Sequence, residues 1–176
     1  NALAASLAVI IADPAHATPA ARARIAAGLE SFTALPHRLE SVGEVNGVLW
    51  INDSKATNVS STLVAIAGMT RPTVLLLGGR HKGEPYTALA EPLRRTGRAV
   101  IAYGEAGPIV AKDLEGVVPI YHLGSDFAEV MAKARSLAQP GDVVLLSPAC
   151  SSYDMFANYG ERGATFRRLA AEHAST

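Results

Sequence analysis

Two fully apolar runs constrain the fold of this chain most strongly. The runs TVLLLGG, residues 73–79, and DVVLLSPA, residues 142–149, show no alternation of apolar and polar positions. A strand with one face in water alternates, whereas a strand covered on both faces reads as a continuous apolar run. Such strands are typical of parallel sheets with helices on both faces, so the pattern predicts a doubly wound α/β domain.

Strand and helix patterns alternate from residue 39 onward, as a parallel sheet with crossover helices requires. The predicted strands cover residues 39–44, 48–52, 73–77, 99–103, 120–122 and 143–147. The predicted helices cover residues 58–68, 86–93, 108–114, 126–138 and 159–173. The expected fold class is therefore α/β, with a doubly wound, mostly parallel, Rossmann-like sheet.

The beginning of the chain has a different character, because it is rich in alanine and has no strand pattern. It predicts two helices, residues 1–13 and 19–29, separated by the loop DPAHATP. Thr18 is the expected cap of the second helix, and Pro19 occupies the first-turn position that proline favours.

The two predicted N-terminal helices are too short to bury a core alone. We therefore expect residues 1–35 to be the helical tail of an incomplete domain, and residues 36–176 to form a second, complete domain. The chain begins at Asn1, in the middle of a helical pattern, so we expect it to be a piece of a longer protein.

The balance of charges argues against nucleic acid as a partner. Lys plus Arg number 16 and Asp plus Glu number 16, whereas a general nucleic-acid-binding protein carries a basic excess. No apolar run reaches the roughly 18 to 20 residues that a membrane span needs. The single cysteine, Cys150, cannot form an internal disulfide and is typical of a reducing compartment. We expect a cytoplasmic protein with no membrane partner.

Loops with polar residues follow four of the predicted strands. Their sequences are NDSKATN, GGRHKGEPY, GEAGP and SPACSSYDMF. In doubly wound sheets, ligands bind beyond the carboxyl ends of the strands. Each loop also leads into a helix, whose free backbone N–H groups attract anions. The sequence therefore predicts a ligand site at this edge of the sheet.

Each loop residue also has an ordinary structural interpretation. Thr57 could cap the helix that follows it, and Lys82 could be a solvated loop lysine. Cys150 fits a small buried residue better than a nucleophile, while His37 and Arg38 could belong to a polar linker. No G-x-G-x-x-G, G-x-x-x-x-G-K-[ST] or G-x-S-x-G motif is present. The loops become informative together, because all of them lie at one edge.

Four segments carry a specific resemblance to a known family. LPHRLE, WINDSKATNVSST, LLLGGRHKGEPY and LLSPACSSYDMFANYGERGATFRRLA resemble, in order, the C-terminal domain of the Mur ligases, and most closely the branch that adds D-glutamate. The opening NALAA is similar to the end of the family's ATP-binding central domain, and LPHR to the hinge between the two. The resemblance implies an ATP-dependent ligase that joins D-glutamate to UDP-N-acetylmuramoyl-L-alanine through an acyl phosphate in peptidoglycan synthesis.

The resemblance implies a D-glutamate site built from four residues of this chain. These are Thr57, Lys82, Ser152 and Tyr159. D-Glutamate carries two carboxylates, which need a cation and O–H or N–H donors as partners. The family usually has Phe at the position of Tyr159, so a contact through the backbone transfers to this chain more safely than one through the side chain.

The resemblance also implies part of an ATP site. Asn1 would lie at the adenine, His37 and Arg38 near the ribose and phosphates, and Asp53 at the ribose hydroxyls. Lys55 would be the catalytic residue, because a cation beside the reacting phosphate offsets the negative charge that develops there.

Parts of a complete ligase are missing from this sequence. It has no Walker A loop, no candidate glutamate-plus-histidine set for Mg²⁺ and no domain for the UDP sugar, and the resemblance implies that these lie upstream of Asn1. We therefore expect the chain to be inactive alone, with ATP and Mg²⁺ held largely by the missing domains. Two alternatives stay open: a sister ligase that adds another amino acid or extends a folate polyglutamate tail, and a non-catalytic α/β binding domain.

Overall fold

The computed structural model describes residues 2–31 and 35–172. The chain divides into two compact units, Asn1–Ala34 and Leu35–Thr176. The described part of the first unit is helical, and the second unit carries the sheet. Two clusters of buried apolar side chains form, and both belong to the second unit.

The described part of the first unit consists of helices, and side chains cap the second and the third of them. Its helices are α1 (Ala2–Ala12), a 3-10 helix (Pro14–Ala17) and α2 (Pro19–Glu30). The carboxylate of Asp13 accepts a hydrogen bond from the amide of Ala15 at 2.8 Å, which turns the expected loop into a 3-10 turn. The hydroxyl of Thr18 accepts from the amide of Ala21 at 3.3 Å, so the predicted cap of α2 is confirmed.

The first unit buries very little of its apolar surface. Among residues 3–31, Ala21 alone is buried. Leu3, Leu7 and Ile11 recur at helical spacing on α1 and are exposed, at 87%, 57% and 71%. No helix in the described part of the chain combines the length and the apolar character that crossing a membrane requires.

The second unit is built on a six-stranded sheet with the order β1-β2-β6-β3-β4-β5. The strands are β1 (Glu40–Val45), β2 (Val48–Asn52), β3 (Thr73–Gly78), β4 (Gly97–Tyr103), β5 (Ile120–His122) and β6 (Val143–Ala149). Strand β1 pairs with β2 in antiparallel fashion, and the other neighbours are parallel. The predicted α/β class with a mostly parallel sheet is confirmed.

Helices cover both faces of this sheet. They are α3 (Val59–Ala67), a 3-10 helix (Tyr86–Leu89), α4 (Ala90–Thr96), α5 (Gly107–Asp113), α6 (Phe127–Leu137) and α7 (Tyr159–Ala171). Buried side chains of α3, α4 and α5 join one apolar cluster, and those of α6 and α7 join the other. The sheet is therefore doubly wound, as predicted.

Strand β3 shows why the apolar runs lack alternation. Leu75 and Leu77 belong to the cluster under α3, α4 and α5. Val74 and Leu76 belong to the cluster under α6 and α7. All four side chains are fully buried, so both faces of the strand demand apolar residues.

The crossover between β3 and β4 differs from the sequence prediction. The helix predicted over residues 86–93 is divided into the 3-10 turn and α4, and β4 begins two residues before the predicted start at Ala99. Gly97 permits this direct passage from helix to strand, because a Cβ there would lie 2.6 Å from the carbonyl oxygen of Leu93. The short connection depends on a glycine whose tight contact is not visible from periodicity.

We expect residues 35–176 to fold without residues 1–34. Both apolar clusters lie entirely within this segment, so removing the first unit takes no side chain from the core. The purified segment should show the circular dichroism of a mixed α/β protein and resist limited proteolysis. The 176-residue chain, digested in parallel, is the control and should yield the same resistant core. Cleavage throughout the segment would show that it depends on the first unit.

Candidate functional site

Three loops meet at the carboxyl edge of the central strands. They follow β2, β3 and β6, which are neighbours in the order β2-β6-β3. The amide of Arg80 donates to the carbonyl of Ser151 at 2.9 Å and joins the β3 loop to the β6 loop. Gly79 has a φ of +124°, and a Cβ there would lie 2.4 Å from the Ser151 carbonyl oxygen. A glycine at this position lets the two loops approach each other.

Lys55 and Tyr159, which were predicted to bind phosphate and D-glutamate, contact each other. The ammonium nitrogen of Lys55 is 3.3 Å from the hydroxyl oxygen of Tyr159 and 5.1 Å from its ring centroid. The carbonyl of Tyr159 accepts from the hydroxyl of Ser54 at 2.7 Å, which attaches the start of α7 to the β2 loop. The phenolic hydroxyl, which a Phe lacks, therefore supplies an additional contact for the lysine.

Asp53 is a buried carboxylate with hydrogen bonds to both oxygens. Its Oδ1 accepts from the amide of Leu39 at 3.2 Å, and its Oδ2 accepts from the hydroxyl of Ser147 at 2.8 Å. Burial raises the pKa of Asp53, while the hydrogen bond from Ser147 and the charge of Arg38 oppose the shift. The side chain is 7% exposed. Each oxygen retains a second lone pair, which a ribose hydroxyl can use.

His37 occupies an unusual backbone conformation before β1. Its φ is +63°, in the left-handed region that few residues other than glycine adopt. The ring nitrogen Nδ1 lies 2.9 Å from the amide nitrogen of the Asn52 side chain. A Cβ at Gly163 would lie 2.3 Å from the same ring nitrogen, so the ring packs directly on the backbone of α7. His37 is thus part of the site edge and not of a free linker.

The predicted nucleotide residues group around the carboxyl end of β2. The carbonyl of His37 accepts from the amide of Lys55 at 3.1 Å. Arg38 is exposed, and its charge acts on Asp53. The structure therefore brings His37, Arg38 and Asp53 together beside Lys55. Asn1, the predicted adenine contact, lies outside the described residues.

The predicted D-glutamate residues lie on loops at the same edge. Thr57 is half-buried and does not cap α3, because the side chain of Asn58 caps it. Lys82 is exposed, and Ser152 is 3% exposed. Lys82 follows His81, whose ring lies 3.0 Å from the hydroxyl oxygen of Tyr86.

A row of hydrogen-bonded side chains connects the Lys82 loop to β6. The hydroxyl oxygen of Tyr86 lies 3.0 Å from Nδ1 of His81 and 2.9 Å from the sulfur of Cys150. Cys150 is fully buried, and burial raises the pKa of its thiol to about 11. The thiol therefore stays protonated at neutral pH, in agreement with its interpretation as a small buried residue.

Arg162 was not predicted from the sequence. It lies in the first turn of α7, and its side chain is fully buried. Its Nε donates to the hydroxyl oxygen of Ser54 at 3.0 Å, and one terminal nitrogen donates to the Ser54 carbonyl at 2.9 Å. Both terminal nitrogens donate to the carbonyl of Cys150 at 3.2 Å. Arg162, Phe166 and Ala170 recur at helical spacing and share one face of the helix. An arginine on this otherwise apolar face is the sequence feature from which its role could have been inferred.

The chemistry of this edge suits anions. Lys55 and Lys82 supply positive charge, and Thr57 and Ser152 supply hydroxyl donors, a set that matches carboxylates and phosphates. Across residues 2–31 and 35–172, no group of three or more His, Cys, Asp or Glu side chains is arranged to hold a metal ion.

Solved structures of ligases share this fold. A murein peptide ligase from Psychrobacter arcticus covers 86% of this chain and 33% of its own, with a TM-score of 0.60 and 15% identity. The MurF ligase from Thermotoga maritima, in complex with ADP, covers 82% of this chain and 33% of its own, with a TM-score of 0.55 and 16% identity. A bifunctional folylpolyglutamate synthase/dihydrofolate synthase from Yersinia pestis covers 89% of this chain and 34% of its own, with a TM-score of 0.55 and 18% identity. At identities of 15 to 18%, these likenesses show a shared α/β fold.

The chain belongs to the Mur ligase family. The family model described as "Mur ligase, glutamate ligase domain" matches residues 37–150, which is more than half of the chain. The resemblance carried by the four quoted segments is thereby confirmed. The matched region spans the sheet from the turn before β1 to the loop after β6.

Several relatives with higher sequence identity carry the name UDP-N-acetylmuramoylalanine–D-glutamate ligase. The protein from Salinibacter ruber is 50% identical over 80% of this chain and 31% of its own length. The protein from Anaeromyxobacter dehalogenans is 47% identical over 85% of this chain and 33% of its own length. The protein from Nitrosococcus oceani is 42% identical over 97% of this chain and 37% of its own length. The chain spans about a third of the length of these relatives.

Proposed function

We propose that the full-length protein is an ATP-dependent ligase that joins D-glutamate to UDP-N-acetylmuramoyl-L-alanine, and that this chain supplies its D-glutamate side. The observation that carries the proposal is the relative of that name that is 42% identical over 97% of this chain, because the likeness extends over every loop of the site. The anion-binding character of the carboxyl edge supports it.

The reaction proceeds through an acyl phosphate. The alanine carboxylate of the acceptor attacks the γ-phosphorus of ATP, and ADP leaves. The amine of D-glutamate, after losing a proton, attacks the acyl carbon and forms a tetrahedral intermediate. That intermediate collapses to the amide and inorganic phosphate. Catalysis of this kind rests on positioning and on the neutralisation of developing negative charge.

The D-glutamate site of the proposal uses side chains from the three loops. Lys82 pairs with one carboxylate of D-glutamate, and the hydroxyls of Thr57 and Ser152 donate to the carboxylate oxygens. Tyr159 closes the site at the start of α7, with its ring beside Lys55. These groups hold the amine in a fixed direction towards the acyl carbon, which is the main contribution of such a site.

The nucleotide side of the proposal uses the group at the end of β2. Asp53 accepts from the ribose hydroxyls, and His37 and Arg38 lie at the ribose and phosphates. Asn1 contacts the adenine. Lys55 is the catalytic cation beside the transferred phosphoryl group. The Walker A loop and the Mg²⁺ ligands belong to the missing domains, so this chain alone is expected to be inactive.

The proposed enzyme acts in the cytoplasm on a nucleotide-linked precursor of peptidoglycan. Its activity would therefore belong to cell-wall biogenesis, and through the wall to cell shape and cell division. Residues 1–35 would be the tail of the ATP-binding central domain, and residues 36–176 the C-terminal ligase domain. Movement of the C-terminal domain would bring the D-glutamate site to the acyl phosphate, as domain closure does in other enzymes.

Discrimination between the two enantiomers of glutamate tests the proposal. Exchanging the configuration moves either the amine or one carboxylate away from its partners, and a displacement of about 1 Å can cost roughly 100-fold. We expect kcat/KM of the full-length enzyme to be at least about 100-fold higher for D-glutamate than for L-glutamate. ADP release, measured with and without UDP-N-acetylmuramoyl-L-alanine, reports the turnover. Equal use of both enantiomers, or preference for another amino acid, would favour a sister ligase.

A further inference from the structure

Arg162 hydrogen-bonds to two loops of the site and lies close to the third. It donates to Ser54 in the β2 loop and to Cys150 in the β6 loop, through the four hydrogen bonds between 2.9 and 3.2 Å described above. A Cβ at Gly79, in the β3 loop, would lie 3.2 Å from a terminal nitrogen of the same guanidinium. One side chain therefore sets the distances between segments that are far apart in sequence.

Arg162 is a fully buried cation without a carboxylate partner among the ion pairs of the described residues. Its charge faces carbonyl and hydroxyl oxygens. Burying a cation without a carboxylate is unfavourable, and the hydrogen bonds from carbonyls only offset that cost. The planar fork of arginine is suited to holding two oxygen atoms in a fixed arrangement.

The residues held by Arg162 are direct neighbours of the predicted substrate contacts. Ser54 precedes Lys55, and its hydroxyl donates onward to the carbonyl of Tyr159 at 2.7 Å. Cys150 lies two residues before Ser152. A shift of the guanidinium would therefore displace Tyr159 and Ser152, two residues of the proposed D-glutamate site.

We propose that Arg162 is a positioning residue for the D-glutamate site, an inference that rests on the proposed function. It contacts no substrate, because it is fully buried, and it acts through Ser54 and Cys150. The nucleotide side is held differently, since Asp53 takes its hydrogen bonds from Leu39 and Ser147. Loss of the arginine fork should consequently affect D-glutamate and leave ATP binding nearly unchanged.

The experiment compares Arg162→Lys and Ser54→Ala with the wild type in the full-length enzyme. Lysine keeps the charge but cannot hold both loops with a planar fork. Ser54→Ala removes only the hydroxyl that joins Arg162 to Tyr159. If Arg162→Lys does not fold, Ser54→Ala still tests the inference. The control is Arg168→Lys, an exposed arginine of the same helix that pairs with Glu172.

We expect the KM for D-glutamate to rise by roughly 10- to 100-fold in Arg162→Lys and by less in Ser54→Ala, as misplacement of a site by up to about 1 Å would produce. The KM for ATP should stay within about threefold in both variants, and Arg168→Lys should behave as wild type.

A contrary result is that, in both variants, kcat and the thermal midpoint of unfolding fall together while every KM stays unchanged. That result would show a purely structural role and overturn the inference. An equal rise in KM for ATP and for D-glutamate would also overturn it. If the wild-type enzyme does not use D-glutamate, the proposed function itself is wrong. The wild-type measurement alone shows this, so that failure is distinguished from a failure of the inference about Arg162.

Discussion

Lys82→Ala in the full-length enzyme is expected to raise the KM for D-glutamate by roughly 30-fold to several-thousand-fold. The range follows from removing one partner of a charge pair in a site that the proposed domain closure would shield from water, which costs about 2 to 5 kcal/mol, at about 1.4 kcal/mol per tenfold change. Lys82 is exposed on the β3 loop, so a ligand carboxylate can reach its ammonium group. The hydrogen-bonded row from His81 through Tyr86 to Cys150 holds this loop against β6.

Steady-state kinetics with each substrate varied in turn measures the effect of Lys82→Ala. The KM for ATP should change little, because the nucleotide group around Asp53 lies on a different loop. Lys112→Ala is the matched control, since Lys112 is an exposed lysine in the last turn of α5. A rise of less than about threefold for D-glutamate, under ~1 kcal/mol, would mean that Lys82 is a solvated loop lysine.

Lys55→Ala is expected to lower kcat by roughly 100- to 1,000-fold, as the loss of one group that stabilises developing charge does in other enzymes. Lys55 has no carboxylate partner among the ion pairs of the described residues. Its ammonium rests instead against the ring and hydroxyl of Tyr159, where it stays available to a phosphoryl oxygen. The effect should appear with all substrates saturating, because the interaction strengthens in the transition state.

A lysine with the same kind of aromatic contact provides the control for Lys55→Ala. Lys133 lies over the ring of Tyr121 at 4.1 Å, on α6 and away from the three loops. Lys133→Ala should leave kcat unchanged, since it removes a cation–π contact without touching the site. A Lys55→Ala defect confined to the KM for D-glutamate, with kcat intact, would move Lys55 from the phosphate to the amino-acid site.

The architecture could be predicted because the burial of a strand determines the local pattern of apolar residues in the sequence. The four apolar residues of β3 are buried on alternate faces, and a run of this kind has few other interpretations. The site edge followed from the same pattern, because parallel strands place their carboxyl ends together. The loops that carry Lys55, Lys82 and Ser152 could therefore be grouped from the sequence alone.

The contacts that hold the site together could not be predicted, because they join distant parts of the chain. Arg162 donates to Ser54 across 108 positions, and the side chain of Asn52 donates to the carbonyl of Gly163 across 111 positions. The left-handed backbone of His37 belongs to the turn that the amide of Arg38 closes on the carbonyl of Leu35, at a position where glycine or asparagine is usual, so a histidine there was not anticipated. Local patterns specify elements, whereas these contacts depend on how the elements pack.

The three-loop arrangement also explains why the segment from Trp50 to Thr62 is so polar after a buried strand. Asp53 faces inward to Ser147, Ser54 joins Arg162 to Tyr159, and Lys55 points outward beside the aromatic ring. Successive residues of one short loop therefore serve different neighbours. A simple turn would need none of these groups.

Hydrogen–deuterium exchange of the full-length enzyme tests most directly whether this chain holds D-glutamate. Both samples contain UDP-N-acetylmuramoyl-L-alanine and a non-hydrolysable ATP analogue, and one of them also contains D-glutamate. We predict added protection in peptides that cover residues 53–58, 79–85 and 150–159, and no such protection with L-glutamate. Protection confined to the regions before this chain, with these three loops unchanged, would contradict the account.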